Sequence, residues 1–168
     1  MQPLPRLFVG SQPTTIAAEG SSDETGRKAR YPEAAAAPGY RGVMTSKLSV
    51  ISIDADQPQV VADFWCAVLG WQVVDEDTGI ISIGPRDKTW PTIDVVAVPE
   101  GKTVKNRLHF DLRADGVSTS EELERLLALG ARRIDVGQGP DVSWVVLADP
   151  EGNEFCLLSR SVQDAEGQ

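Results

Sequence analysis

Hydrophobic and polar positions alternate most clearly in residues 104–112, which contain the only histidine of the chain, His109. One side of this alternation holds Leu108, Phe110 and Leu112, and the other holds Arg107, His109 and Asp111. Alternation with a period of two, built from β-favouring residues, predicts a half-buried strand. We therefore expect an apolar face packed on the core and an open face carrying the imidazole.

The remaining patterns predict seven more strands and two helices. The strands are expected at residues 48–54, 71–74, 79–83, 92–98, 132–136, 143–147 and 153–158. The first helix starts after Asp56, which can cap it, has Pro58 in its first turn and ends at Gly70. The second covers residues 118–129, with Ser118 or Ser120 as a cap and Gly130 at its end.

The predicted elements follow the order β-α-β-β-β twice. The glycines that end the two helices, Gly70 and Gly130, lie 60 residues apart, and the same offset places residues 48–50 on 108–110 and 93–95 on 153–155. An internal repeat of this kind predicts two similar structural units. It places Ser49, Asp94, His109 and Glu154 at related positions on the polar sides of two sheets.

Composition divides the chain of 168 residues into three parts. Residues 1–43 are rich in Pro, Gly, Ala, Ser and Thr without sustained periodicity, which predicts a disordered extension. Met44 stands directly before the first convincing strand, so translation starting there is a hypothesis, and intact-mass measurement of natively expressed protein tests it. The ordered domain is expected at residues 44–160, with modules at about 46–99 and 105–159, and 161–168 as a flexible tail.

Charge and cysteine usage limit the possible partners. The formal net charge is −9, and residues 44–168 alone carry −10, which disfavours binding to nucleic acid or anionic membranes. No stretch reaches the roughly 20 apolar residues needed to span a bilayer. Two cysteines, Cys66 and Cys156, form neither a disulfide framework nor a zinc motif and are expected to be buried hydrophobes, with a reactive thiol at Cys156 as the alternative. A reducing cytoplasm is the expected location.

Three motifs resemble those of one known family. They are FWCAVLGW at residues 64–71, KNRLHFDL at 105–112 and DPEGNEF at 149–155. Each is similar to a signature of glyoxalase-like domains in the vicinal oxygen chelate superfamily, and the resemblance covers about residues 46–159. It implies an α+β fold of two tandem βαβββ modules that form a curved eight-stranded cup, with helices on the outer face and a small-molecule or metal site inside.

The resemblance also implies where a metal would be held. Metal-dependent members carry one ligand on the first and last strand of each module. His109 and Glu154 match in the second module, whereas the first module offers Ser49 and Asp94. His109, Glu154 and Asp94 are therefore the candidate ligands for a divalent Fe, Mn, Ni or Zn ion. Without metal, Glu154 could orient His109 as a general base, or both residues could simply line a pocket.

Two classes of function stay open on the sequence alone. One is an enzyme of lyase, isomerase or dioxygenase type, and the alternative is a non-catalytic binding protein of the bleomycin-resistance type. The candidate ligand-binding residues are Ser49, Asp94, Arg107, Asp111, Trp90 and Trp144. The expected partner is a small molecule, with no nucleic acid or membrane. A homodimer is a further hypothesis, because the modules can close the cup within one chain or exchange between two.

Overall fold

The structure is a computed structural model that describes residues 47–139 and 141–167. The first module contains β1 (Val50–Ala55), α1 (Pro58–Leu69), β2 (Gln72–Asp77), β3 (Ile80–Gly84) and β4 (Thr92–Ala97). The second contains β5 (Phe110–Leu112), α2 (Thr119–Ala128), β6 (Arg132–Arg133), β7 (Trp144–Ala148) and β8 (Glu154–Leu158), and α3 (Val162–Glu166) follows. The predicted extension at residues 1–43 and the hypothetical start at Met44 lie outside the described residues.

The strands form two four-stranded sheets with the same internal order. The first sheet runs β1-β4-β3-β2 and the second β5-β8-β7-β6. In each sheet the first and last strands of the module pair in parallel, while the other neighbours pair antiparallel. These observations confirm the predicted α+β fold of two βαβββ modules. Within the described part of the chain the strands form no closed barrel.

The register of the parallel pair differs between the two modules. Val50 lies opposite Thr92 in the first sheet, but Phe110 lies opposite Phe155 in the second. The second pairing is three residues further along the last strand than the 60-residue offset predicts. As a result Ser52, and not Ser49, lies opposite Asp94.

Strand β5 is shorter than the alternation predicts. Only Phe110–Leu112 pairs with β8, whereas the prediction began the strand at residue 104. Val104 and Leu108 are 75% and 73% exposed, so the expected burial of Leu108 is wrong. The physical reason is that residues 104–109 run outside the sheet, where the backbone N–H of Asn106 donates to Oε2 of Glu154 at 2.9 Å.

One aromatic cluster links α1 to the second sheet. Trp65 of α1 is 1% exposed, and its ring centroid lies 5.1 Å from that of Phe110 and 5.2 Å from that of Phe155. Its indole N–H donates to the buried carboxylate of Asp149 at 3.3 Å. The hydrophobic core therefore belongs to both modules, and residues of both contribute to it: Val61, Phe64, Ile83, Ile93, Val95, Leu126, Leu147 and Leu157.

The helix termini show one expected and one unexpected cap. Ser118 and Glu121 form a reciprocal capping box at the start of α2, as predicted. Helix α1 has no side-chain cap of its own, so the predicted role of Asp56 is wrong. The carboxylate of Glu151, from the turn between β7 and β8, instead accepts the backbone N–H groups of Asp56 and Gln57.

Two further findings concern the helices. Residues 161–168, expected as a flexible tail, include the short helix α3, which begins with a capping box between Ser161 and Asp164. In the described part of the chain, no helix has the length and apolar character required to cross a membrane.

Candidate functional site

A cavity of about 490 Å³ lies on the open face of the second sheet, and we call it the sheet cavity. Its position follows from the alternation along β8. Phe155 and Leu157 face the core, so Glu154, Cys156 and Leu158 face the open side. The apolar lining consists of Val136, Trp144, Val146 and Leu158, and the polar lining of Lys105, His109, Asp111, Gln138, Glu154 and Cys156.

His109 and Asp111 meet at the exposed edge of the sheet cavity. The Nε2 atom of His109 lies 3.4 Å from Oδ1 of Asp111, and the two side chains are 42% and 51% exposed. They stand two residues apart along the strand direction and so share one face. The carboxylate of Asp111 can accept a hydrogen bond from the imidazole N–H.

Cys156 lies beneath this pair. It is directly opposite Asp111 in the parallel pairing of β5 with β8, and it is 6% exposed. Burial, together with the adjacent Asp111 carboxylate, raises the pKa of the Cys156 thiol to about 11. The thiol is therefore protonated at neutral pH, and Cys156 on its own is a poor nucleophile.

Glu154 is engaged by the segment that connects the modules. Its Oε1 atom lies 2.8 Å from Nζ of Lys102, and its Oε2 atom accepts the backbone N–H of Asn106. Burial opposes ionisation of this carboxyl, but the hydrogen bonds from Lys102 and Asn106 prevail and hold the pKa of Glu154 below its usual value. Glu154 is thus an ionised carboxylate whose two oxygens already have partners.

A second cavity, the linker cavity, lies between β1 and residues 100–110. Its volume is about 520 Å³, and its lining includes Ser52, Asp54, Lys102, Arg107, His109 and Glu154. His109 and Glu154 line both cavities. Arg107, a predicted ligand-binding residue, lines the linker cavity alone.

The other predicted residues are divided between the modules. Asp111 and Trp144 line the sheet cavity with His109 and Glu154. Asp94 lies on β4 and accepts a hydrogen bond from Oγ of Ser82 at 2.7 Å. The remaining two, Ser49 and Trp90, lie in the first module: the Ser49 carbonyl accepts the N–H of Thr92 at 3.0 Å, and Nζ of Lys47 lies 4.5 Å from the centroid of the Trp90 ring.

Sequence reasoning missed Cys156, Gln138 and Lys102 as residues of these cavities. Cys156 could have been found, because it follows Glu154 by two positions on a predicted strand and so shares its face. Lys102 lies in a connecting segment without periodicity, where no pattern indicates which carboxylate a long side chain reaches.

The sequence at residues 50–158 matches the model of the glyoxalase-like domain family. The chain belongs to this family, and its fold is similar to that of the fosfomycin resistance protein FosX. No curated protein matches the sequence.

Several solved structures are similar to this one at low sequence identity. The fosfomycin resistance protein FosX of Mesorhizobium loti is 13% identical with a TM-score of 0.53, covering 74% of this chain and 100% of that one. A mutant FosX of Listeria monocytogenes, complexed with Mn(II) and 1S,2S-dihydroxypropylphosphonic acid, is 11% identical with a TM-score of 0.52, covering 73% and 95%. The antibiotic binding protein TnmS3 from Streptomyces is 16% identical with a TM-score of 0.48, covering 71% and 100%. These likenesses concern the fold alone.

The expected metal ligands have other partners in this structure. Glu154 is bound by Lys102 and Asn106, and Asp94 by Ser82 in the other sheet. Among the described residues, the group of His, Cys, Asp and Glu side chains that is close enough to share a metal ion consists of His109, Asp111 and Cys156. The set of His109, Glu154 and Asp94 stays a prediction, and we derive no chemical step from it.

Proposed function

We propose that this protein binds a small molecule in the sheet cavity, as a binding protein of the glyoxalase-like family. The observation that carries the proposal is the combination of an apolar floor with one cluster of polar groups at its edge. Small-molecule sites are typically concave and apolar, with few polar groups that fix orientation. The cavity volume of about 490 Å³ falls in the range of such sites.

The apolar side of the cavity favours a flat ligand. Trp144 is 41% exposed although it lies at the start of β7, and its ring lines the cavity beside Val146 and Leu158. An exposed indole offers a large rigid surface on which a planar ring can stack. We therefore expect a ligand with at least one aromatic or conjugated ring.

The polar side of the cavity favours a ligand with a hydrogen-bonding group. The imidazole of His109 can donate or accept, Asp111 accepts, and the amide of Gln138 can do either. Lys105 adds one positive charge to the lining. A planar molecule with a phenolic, carboxylate or sulfonate substituent satisfies both parts of the lining.

Binding of 8-anilinonaphthalene-1-sulfonate, a planar aromatic sulfonate, tests the proposal. We expect saturable binding to the full chain, measured by dye fluorescence and by calorimetry. Replacing Trp144 with Ala should weaken binding at least tenfold, because the stacking surface is lost. The matched control is Trp90→Ala, which removes an indole of similar exposure from the first module and should leave the affinity unchanged.

Two outcomes would contradict this proposal. One is equal weakening by Trp144→Ala and Trp90→Ala, which would indicate non-specific binding to exposed indoles. The other is the absence of saturable binding while circular dichroism shows a folded protein.

An enzyme is the second candidate, and the contact between His109 and Asp111 favours it. A carboxylate next to an imidazole is the arrangement that orients a general base. In this arrangement His109 would take a proton from a bound substrate, and Asp111 would stabilise the imidazolium that forms. Turnover of a substrate that is lost in His109→Gln and reduced in Asp111→Asn would support the enzyme over the binding protein.

The proposed homodimer and cytoplasmic location rest on the sequence. Light scattering of the purified chain tests the dimer, since a dimer has twice the mass of 18.1 kDa. Fractionation of native cells tests the location.

A further inference from the structure

Three metal-binding side chains of different chemistry converge in the sheet cavity. They are the imidazole of His109, the carboxylate of Asp111 and the thiol of Cys156, and their donor atoms all lie within 4.8 Å of one another. The separation of 3.4 Å between Nε2 of His109 and Oδ1 of Asp111 is close to that of two ligands on one tetrahedral ion. The three donors therefore lie close enough together to share one ion.

The backbone that carries two of these donors, Asp111 and Cys156, belongs to the second sheet. Asp111 and Cys156 are paired residues in the centre of the parallel ladder between β5 and β8, and the flanking pairs are Phe110 with Phe155 and Leu112 with Leu157. Phe155 and Leu157 are fully buried. Donors on a packed sheet hold their positions better than donors on loops, so the sheet fixes two of the ligands, and His109 directly precedes β5.

We propose that His109, Asp111 and Cys156 bind a zinc-type divalent ion, with the remaining coordination position open to the sheet cavity. Nitrogen, oxygen and sulfur donors together suit zinc, and three protein ligands with one open position are typical of sites that also accept water or a substrate. Binding converts the Cys156 thiol to a thiolate, and the thiol proton is released to solvent as the metal–sulfur bond forms. The net charge of the three ligands then becomes −2, which balances the ion.

This site differs from the set that the resemblance implies, and the structure gives a reason for the difference. Glu154 is neutralised by Lys102, so a metal ion would have to displace an ammonium group to reach it. Within residues 47–139 and 141–167, Asp111 forms an ion pair with His109 and none with a lysine or arginine, and Lys105 lines the same cavity without a salt bridge to it. An incoming cation must therefore displace an ammonium group at Glu154 but not at Asp111.

Titration of the full chain with Co(II) tests the proposal, because a thiolate bound to cobalt produces a near-ultraviolet charge-transfer band. We expect this band to saturate at one equivalent and Zn(II) to bleach it by displacement. Cys156→Ser should abolish the band, and His109→Gln should weaken cobalt binding at least tenfold. The matched control is Cys66→Ser, which removes the other thiol, in α1, and should leave the band intact.

Each alternative result overturns the proposal. No band with the wild-type chain, or a band lost in Cys66→Ser and kept in Cys156→Ser, would place the metal elsewhere. Cobalt binding that is lost in Glu154→Gln and His109→Gln but kept in Cys156→Ser would favour the set that the resemblance implies. If Cys156→Ser does not fold, Asp111→Asn decides the question, because Asp111 belongs to the proposed set and not to the other and its side chain is 51% exposed: cobalt binding that Asp111→Asn leaves unchanged overturns the proposal.

The metal site goes beyond the proposed ligand binding, and the two fail separately. The dye measurements are made on chelator-treated protein, and the cobalt titration contains no dye. Loss of cobalt binding with dye binding intact refutes only the metal site.

Discussion

The two modules share an order of elements but present different chemistry on their open faces. In the second module, the donor atoms of His109 just before β5, Asp111 on β5 and Cys156 on β8 all lie within 4.8 Å of one another. At the corresponding strands of the first module, Ser52 lies opposite Asp94, and the Asp94 carboxylate is bound by Ser82 of the neighbouring strand. The same architecture thus carries different polar groups on its two open faces, and the difference lies in a few outward-facing side chains.

The faces that point into the core show the opposite behaviour. Trp65 of the first module packs on Phe110 and Phe155 of the second, so a single core contains residues of both modules. The modules can therefore diverge in chemistry while they depend on each other for stability.

Disruption of this shared core should cause the largest loss of stability. Trp65→Ala should lower the free energy of unfolding by about 3–5 kcal/mol, because it removes a buried indole and its contacts with both modules. Urea unfolding followed by circular dichroism measures the change, and Trp90→Ala should stay within about 0.5 kcal/mol of wild type. Two separate unfolding transitions in the wild-type chain would contradict the idea of a common core.

The ion pair of the second module should give the next largest effect. Lys102→Met leaves the Glu154 carboxylate buried with one hydrogen-bond donor fewer and should cost about 1–3 kcal/mol. The measurement is urea unfolding near pH 7. An unchanged midpoint would show that the contact between Lys102 and Glu154 does not persist in solution.

Acidification should reduce the contribution of the Glu154 carboxylate to the stability of the fold. Because the pKa of Glu154 is lower in the folded state, its contribution to stability is present above the ordinary value of 4.5 and is lost as the pH falls below that value. Glu154→Gln should remove this part of the pH dependence. Unfolding curves recorded between about pH 3 and pH 7 measure it, because this range spans the ordinary carboxyl pKa of about 4. A variant curve parallel to wild type would refute the assignment.

The cap supplied by Glu151 to the first module should matter less. Glu151→Ala removes the acceptor for two backbone N–H groups at the start of α1 and should cost about 0.5–2 kcal/mol. Hydrogen exchange should show faster opening of the first turn of α1 and no change at α2. Equal acceleration in both helices would mean that Glu151 acts on the whole fold.

The smallest effect concerns the open face of the first module. Ser82→Ala frees Asp94 from its hydroxyl partner and should cost about 0.5–1.5 kcal/mol. Dye binding and cobalt binding should be unchanged, since neither residue lines the sheet cavity. A change in the affinity for the dye or for cobalt would show that the open face of the first module influences binding at the second.

The alternation of residues was sufficient to predict the modules, because burial of one face leaves a period of two in each strand. It failed at Leu108, where the chain runs outside the sheet although its sequence continues the pattern. The pattern also related Ser49 to Asp94, whereas the register places Ser52 opposite Asp94. Parallel pairing depends on contacts between distant strands, which no local pattern encodes.

The candidate site was predictable to a similar extent. His109, Asp111, Glu154 and Trp144 could be identified because outward positions on neighbouring strands converge. The engagement of Glu154 by Lys102 could not, because it depends on where an irregular segment folds back.

The hydrogen bonds from Asp56 and Gln57 to Glu151 have a consequence for the order in which the protein is made. A ribosome releases α1 long before Glu151, which lies 95 positions after Asp56. The partner of the Trp65 indole, Asp149, is also made at that late stage. During synthesis, the start of α1 and the Trp65 indole therefore lack these hydrogen-bond partners until nearly the entire domain has emerged.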